Sequence, residues 1–225
     1  MSTPFYVAPE QVMKDRADYA RKGIARGRSL VATTYDDGIV IVAENPSNTL
    51  HKVSEIYDRL GFAGVGRYNE FDQLRIAGIR HADLKGFSYS RHDVDGLSLA
   101  NQYAQMLGQT FTNEMKPMEV EILVAEIGEE PENDQLFHIL YDGTVFDRTG
   151  FAVLGGDSDA ISARVEEGFE ERLALGSAIS AARTALAGEE RELVADDLEV
   201  AALGRTHGRR SFRRIVGDDL TDLLS

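Results

Sequence analysis

Apolar positions early in the chain fall in short runs divided by polar breaks. Residues 29–66 read SLVATTYDDGIVIVAENPSNTLHKVSEIYDRLGFAGVG. The runs 30–34 and 39–44 are rich in β-branched residues, which suit a pleated surface. Between them, Asp36-Asp37-Gly38 offers an Asp-Gly step, which supplies the positive φ of a tight hairpin. Pro46 ends the second run because it cannot donate to a ladder. Residues 52–56 resume the strand pattern, and 61–65 form a fourth strand of small residues.

Ahead of this stretch the pattern is helical. Pro9 suits a first helical position and Glu10 complements the positive end of the helix dipole. The spacing predicts a helix from Pro9 to about Gly23 or Ala25, residues 9–25. Val12, Arg16, Tyr19 and Gly23 form a weakly apolar stripe, flanked by Met13, Ala17 and Ala20. Such a face predicts packing against a neighbour as well as its own domain.

Beyond residue 66 the period changes to 3.6. Phe71, Leu74, Gly78 and Ala82 share one face of a helix over 68–83, followed by a connector at 86–91. Asp93 is the expected cap of a second helix reaching Phe111, with Leu97, Ala100, Ala104 and Leu107 in register. Residues 118–128 are a strand buried on both faces, since EVEILVAEI is nearly all apolar. A hairpin about Asp142-Gly143 joins 135–141 to 145–146, and 152–154 is a further short strand. Asp157 or Ser158 caps a helix carrying Ile161, Val165 and Phe169. The next helix, 173–187, aligns Leu175, Ile179, Ala182 and Leu186. A charged loop, 188–197, precedes closing strands at 198–203 and 212–216. The basic turn between them, 205–210, reads as a solvated tip. Residues 217–225 are a short acidic tail of one or two helical turns.

The order is strands, two helices, strands, two helices, strands. Two sheets must then bury one face on each other and the other under helices. That predicts an α+β fold, a four-layer αββα sandwich, as one domain over 1–225 with the sandwich proper at 29–216.

Composition narrows the function. The 225 residues carry a net charge of −14, which argues against nucleic-acid binding, because phosphate contacts need basic surface. There are no cysteines, which removes thiol catalysis, disulfides and cysteine-ligated metals. Residues 1–5 lack the features of a signal peptide, and no run approaches the ~20 apolar residues of a membrane span. A soluble, cytoplasmic chain without membrane contact is expected. The histidines, His51, His81, His92, His138 and His207, form no spaced metal motif, and most of them read as surface residues. Glu129, Glu130, Glu132, Asp134, Asp157 and Asp159 read as solubility and capping rather than an acid/base pair. Gly61, Gly64 and Gly66 are spaced G-x-x-G-x-G, not the G-x-G-x-x-G of a dinucleotide site. No cofactor and no metal are expected.

The 29–66 stretch, with its hairpin, polar loop, lysine at the third strand and glycine-rich fourth strand, resembles the N-terminal half of a proteasome subunit. ARKGIARGRS followed by AENPSNTLHKVSEIYDRLGF is most similar to the actinobacterial alpha type. The resemblance covers essentially the whole chain and implies the N-terminal-nucleophile hydrolase fold. In catalytic beta-type subunits, a threonine freed at the start of the first strand is the nucleophile, completed by an acid and a lysine. Here those positions hold Arg28, Glu44 and Lys52, and arginine cannot attack a carbonyl. Thr33 and Thr34 stand in mid-strand. The segment ahead of Arg28 looks structural rather than removable.

The resemblance therefore implies a non-catalytic subunit of a threonine-type endopeptidase complex. Identical alpha subunits would form heptameric rings stacked on beta-type subunits. It implies a gate at the ring axis made of Ser2, Thr3, Pro4, Phe5, Tyr6, Val7 and Ala8. The 9–25 helix would fill the end of the sandwich where a substrate would sit. A docking pocket for the C-terminal tail of a ring-shaped ATPase would involve Lys52, Gly66 and Arg67. The protein substrates would carry a ubiquitin-like modifier. Glu44 and Lys52 are expected to face one another as an ion pair. The alternative is a self-processed hydrolase with Ser29 as nucleophile.

Overall fold

Residues 8–224 are described by the computed structural model. Ten strands form two five-stranded antiparallel sheets. The first has the order β10-β9-β2-β1-β8 and the second β3-β4-β5-β6-β7. In the first sheet the strands are β1 (Leu30–Tyr35), β2 (Gly38–Glu44), β8 (Phe151–Leu154), β9 (Leu198–Gly204) and β10 (Phe212–Ile215). The second contains β3 (Val53–Tyr57), β4 (Leu60–Gly66), β5 (Val120–Glu126), β6 (Gln135–Ile139) and β7 (Val145–Arg148).

Strand alternation sorts side chains into three cores. On β2, Ile39, Ile41 and Ala43 meet Leu123, Ala125, Ala201 and Leu203 between the sheets. Val40 and Val42 point the other way, to helices α4 (Ser158–Gly168) and α5 (Leu175–Ala187). Phe62, Ile122 and Val124 of the second sheet pack under α2 (Tyr68–Ser88) and α3 (Gly96–Asn113). Both faces of both sheets are therefore covered, which is the four-layer sandwich the element order predicts.

Helix α1 (Pro9–Ile24) closes one end. Its buried residues Ala20 and Ile24 enter the core between the sheets, beside Ala43, Val53 and Val65. Arg16 donates to the carbonyls of Phe111 (3.2 Å) and Glu114 (2.8 Å), at the C-terminal end of α3. There a guanidinium satisfies carbonyls that the helix leaves unpaired. Among the described residues, Val12, Met13 and Tyr19 stay exposed on the rest of this helix.

Several boundaries depart from the sequence pattern. In the first hairpin, Tyr35 pairs with Gly38, so the turn is Asp36-Asp37. The positive φ, +152°, falls on Gly38, where a Cβ would stand 2.1 Å from the Leu203 carbonyl oxygen of β9. Glycine is needed there for close strand approach as well as for the turn. Helix α2 runs on to Ser88, through the expected connector. Asp95, not Asp93, caps α3, accepting from the Ser98 amide at 2.7 Å.

The turn after β9 is not merely a solvated tip. Arg205 bonds the Asp134 carboxylate at 2.6 Å, Thr206 bonds Asp37, and Arg210 holds Glu55 with two nitrogens. Asp134, expected to serve solubility, is buried by this pairing. His138 is also buried, with its Nε2 3.4 Å from a Glu121 oxygen, rather than at the surface. The tail folds as α6 (Asp218–Leu224), with Leu220 buried in the α4/α5 core. No described helix is long and apolar enough to cross a membrane.

Candidate functional site

Arg28 lies in the short link between α1 and β1, and its guanidinium bonds the Glu44 carboxylate. Glu44 ends β2 on the face shared by Val40 and Val42, so it points to the helix layer. A second guanidinium reaches it from the loop after α5: Arg191 binds both Glu44 oxygens, at 2.9 and 3.2 Å. Arg191 is also tied to the Leu186 carbonyl at 2.8 Å. Glu44 is buried, while both arginines are half exposed. These residues, with Asp157 and Arg164, line a cavity of about 460 Å³. Two donors on one buried carboxylate meet the requirement that a buried charge be paired.

Lys52 stands just ahead of β3. Its Nζ donates to the Arg28 carbonyl oxygen at 2.5 Å. The expected Lys52–Glu44 ion pair is not formed, because the carboxylate is already taken by Arg28 and Arg191. Burial pushes the Lys52 ammonium down to about 8; Glu44 and Glu199 oppose the fall and Arg28 adds to it. Among the described residues, the lysine is thus a half-buried cation hydrogen-bonded to a neutral carbonyl.

Gly66 and Arg67 lie on the other side of the same link. A Cβ on Gly27 would be 3.1 Å from the Gly66 amide nitrogen, so these backbones touch. Gly66 has φ +106°, and a Cβ there would lie 2.0 Å from the Glu119 carbonyl oxygen. No side chain fits that position. Arg67 turns away from Lys52: its Nη1 stands 3.4 Å from Glu119 and 3.8 Å from Glu70. Burial raises the Glu119 pKa, but Lys116 and Arg67, with a Tyr19 hydrogen bond, outweigh it and leave the carboxyl below its ordinary value. Of the three residues expected to form a docking pocket, Lys52 and Gly66 are brought to the 27–28 link, and Arg67 belongs to a separate ion-pair cluster.

Ser29, the alternative nucleophile, is buried. Its carbonyl accepts from the Glu44 amide at 3.1 Å, and its Oγ packs against Gly155. The expected gate positions 2–7 lie outside the described residues; Ala8 is exposed and is the N-cap residue ahead of α1. Among the described residues no group of acidic or histidine side chains is arranged to hold a metal.

Two site residues were not found from the sequence. Arg191 sits in a charged loop with nothing to distinguish it. Glu199 did carry a signal, a lone carboxylate inside the apolar run LEVAAL.

A family model described as proteasome subunit matches residues 24–202. "Proteasome subunit alpha" of Acidimicrobium ferrooxidans is 61 % identical over 224 residues, covering 100 % of this chain and 97 % of the relative. The chains of that name from Sanguibacter keddieii and Acidothermus cellulolyticus are 55 % and 54 % identical. They again span 100 % of this chain, with 90 % and 98 % of their own lengths covered. Two helix-covered sheets, the match to the family model and full-length likeness to alpha-type sequences point the same way: the chain belongs to the proteasome subunit family, among its alpha-type members.

Proposed function

We propose that this chain is a non-catalytic ring subunit of a proteasome core that docks an activating ring ATPase and gates substrate entry. The observation that carries the reading is the Arg28–Glu44–Lys52 arrangement. At the position of the nucleophile stands a guanidinium locked on a carboxylate, beside a helix that fills the end of the sandwich. Threonine-type attack requires a hydroxyl at the freed start of the first strand; Arg28 carries none, and the hydroxyl of the next residue, Ser29, is buried against Gly155. Peptide cleavage then belongs to beta-type partners, and copies of this chain form the outer ring. The uncovered face of α1, with Val12, Met13 and Tyr19, suits contact with a neighbouring copy.

Lys52 is the docking cation. A carboxylate arriving at a half-buried ammonium that is hydrogen-bonded to a carbonyl gains a charge-assisted bond, stronger than the neutral one it joins. Gly66 keeps the backbone beside it free of side chains. The ATPase would deliver proteins tagged with a ubiquitin-like modifier. The test uses particles assembled with the beta-type subunit and a fluorescent peptide bearing the last residues of the ATPase that co-purifies with them. Wild-type particles should bind the free-acid peptide more tightly than its C-terminal amide. Lys52→Ala should weaken the free acid by about 1.5–3 kcal/mol, the range for a hydrogen bond to a charged group, and abolish the difference. Equal binding by wild type and variant would remove Lys52 from the site.

A further inference from the structure

Glu199 sits near the start of β9, on the same face as Ala201 and Leu203, and so projects between the sheets. It is buried, and its two oxygens are filled by donors from three directions. One accepts from the Asn45 side-chain amide at 2.7 Å and from the backbone amide of Lys52 at 2.7 Å. The other accepts from the Val53 amide at 3.2 Å and from Arg214 Nη1 at 2.6 Å, with His51 Nδ1 at 3.3 Å. Arg214 in turn donates to the Val53 carbonyl at 2.5 Å. Residues 51–53 are therefore gripped from the opposite sheet, at three consecutive positions.

We propose that Glu199 is the positioning residue for Lys52: from β9 it fixes the start of β3 and so sets where the Lys52 ammonium stands for an incoming peptide carboxylate. The proposal rests on the reading of Lys52 as the docking lysine. A four-carbon stem is flexible, so its head is placed only as well as its backbone is held. Fully satisfied buried networks supply that rigidity. Glu199 also acts through charge. Facing the Lys52 ammonium are Arg28 from the link before β1, Glu44 from β2 with Arg191 upon it, Glu199 from β9 with Arg214 of β10 upon it, and the adjacent His51. Of these, the two carboxylates hold the proton on Lys52.

The test is the pH dependence of tail-peptide binding by assembled particles, with the same fluorescent free-acid peptide. For the wild type, affinity should begin to fall near pH 8, as Lys52 loses its proton. Glu199→Gln keeps the shape but removes the charge and turns one acceptor into a donor facing donors. Its affinity should drop several-fold, and the fall with pH should start earlier. Arg214→Met leaves Glu199 less compensated, so the fall should start later. A purely structural strap would lower thermal stability without moving either onset. Glu199→Gln particles that assemble and bind with wild-type affinity and wild-type onset overturn the proposal. If Glu199→Gln fails to assemble, an unmoved onset in Arg214→Met overturns it. Should Lys52→Ala itself bind like the wild type, the docking reading falls and this one with it; weak binding by Lys52→Ala beside normal Glu199→Gln overturns only the role of Glu199.

Discussion

At the scale of single residues, Lys52 is a cation in an unfavourable place. Its folded-state pKa of about 8 lies below the 10.5 of an exposed lysine. Between those values the unfolded chain binds more protons than the folded one, so stability rises with pH across the window. The cost is fully present below pH 8 and gone above pH 10.5. Lys52→Met should therefore gain most over the wild type, in thermal midpoint, near pH 7. The gain should shrink as pH is raised through the window. A difference independent of pH would mean that the ammonium is not strained by burial. The sequence exposed Lys52, Arg28 and Glu44 because each stands at a fixed place in a recognisable strand pattern. It could not show how they pair. Arg191 is 147 positions from Glu44 and Glu199 is 147 from Lys52, and only the sheet order brings them together.

Secondary structure was legible wherever local pattern and tertiary packing agreed. The β-branched runs became β1 and β2 within a residue or so, and Pro9 opened α1 as expected. Where they disagreed, packing won. Gly86 and Ser88 are weak helix formers. Yet α2 continues through them, because Gly86 lies so close to Tyr57 that a Cβ would be 2.1 Å from its hydroxyl, and Lys85 is held by Asp95 at 2.7 Å. That same carboxylate caps α3, which is why the cap falls two residues later than the sequence suggests. Burial raises the Asp95 pKa, but Lys85 and the Ser98 amide outweigh it and leave the carboxyl low. Asp95→Ala should cost about 0.5–2 kcal/mol, the usual loss for a cap. Asp93→Ala should cost much less, since Asp93 makes no such bond. Equal losses in urea denaturation would return the cap to the sequence-based position.

For the whole molecule, the two ends of α1 have different tasks. Its buried residues, Ala20, Gly23 and Ile24, all lie in the last turns, where the helix enters the core between the sheets. The first turns are exposed, and Ala8 precedes Pro9 without a side-chain cap. The helix is therefore anchored to the core well downstream of residue 8, and removing residues 2–7 should leave folding intact. What such a deletion changes is traffic. If residues 2–7 converge over the axial opening of an assembled ring, their loss widens the entrance without touching any group that cleaves peptides. Particles assembled with deleted chains should hydrolyse long peptides faster than wild-type particles. Short peptides that slip past a partial obstruction should gain less. The intrinsic active sites, titrated with a covalent inhibitor in opened or disassembled particles, should be equal in number. Electron microscopy of the same preparations checks that the rings are complete. Unchanged rates for long peptides in complete particles would assign the 2–7 segment some role other than closure.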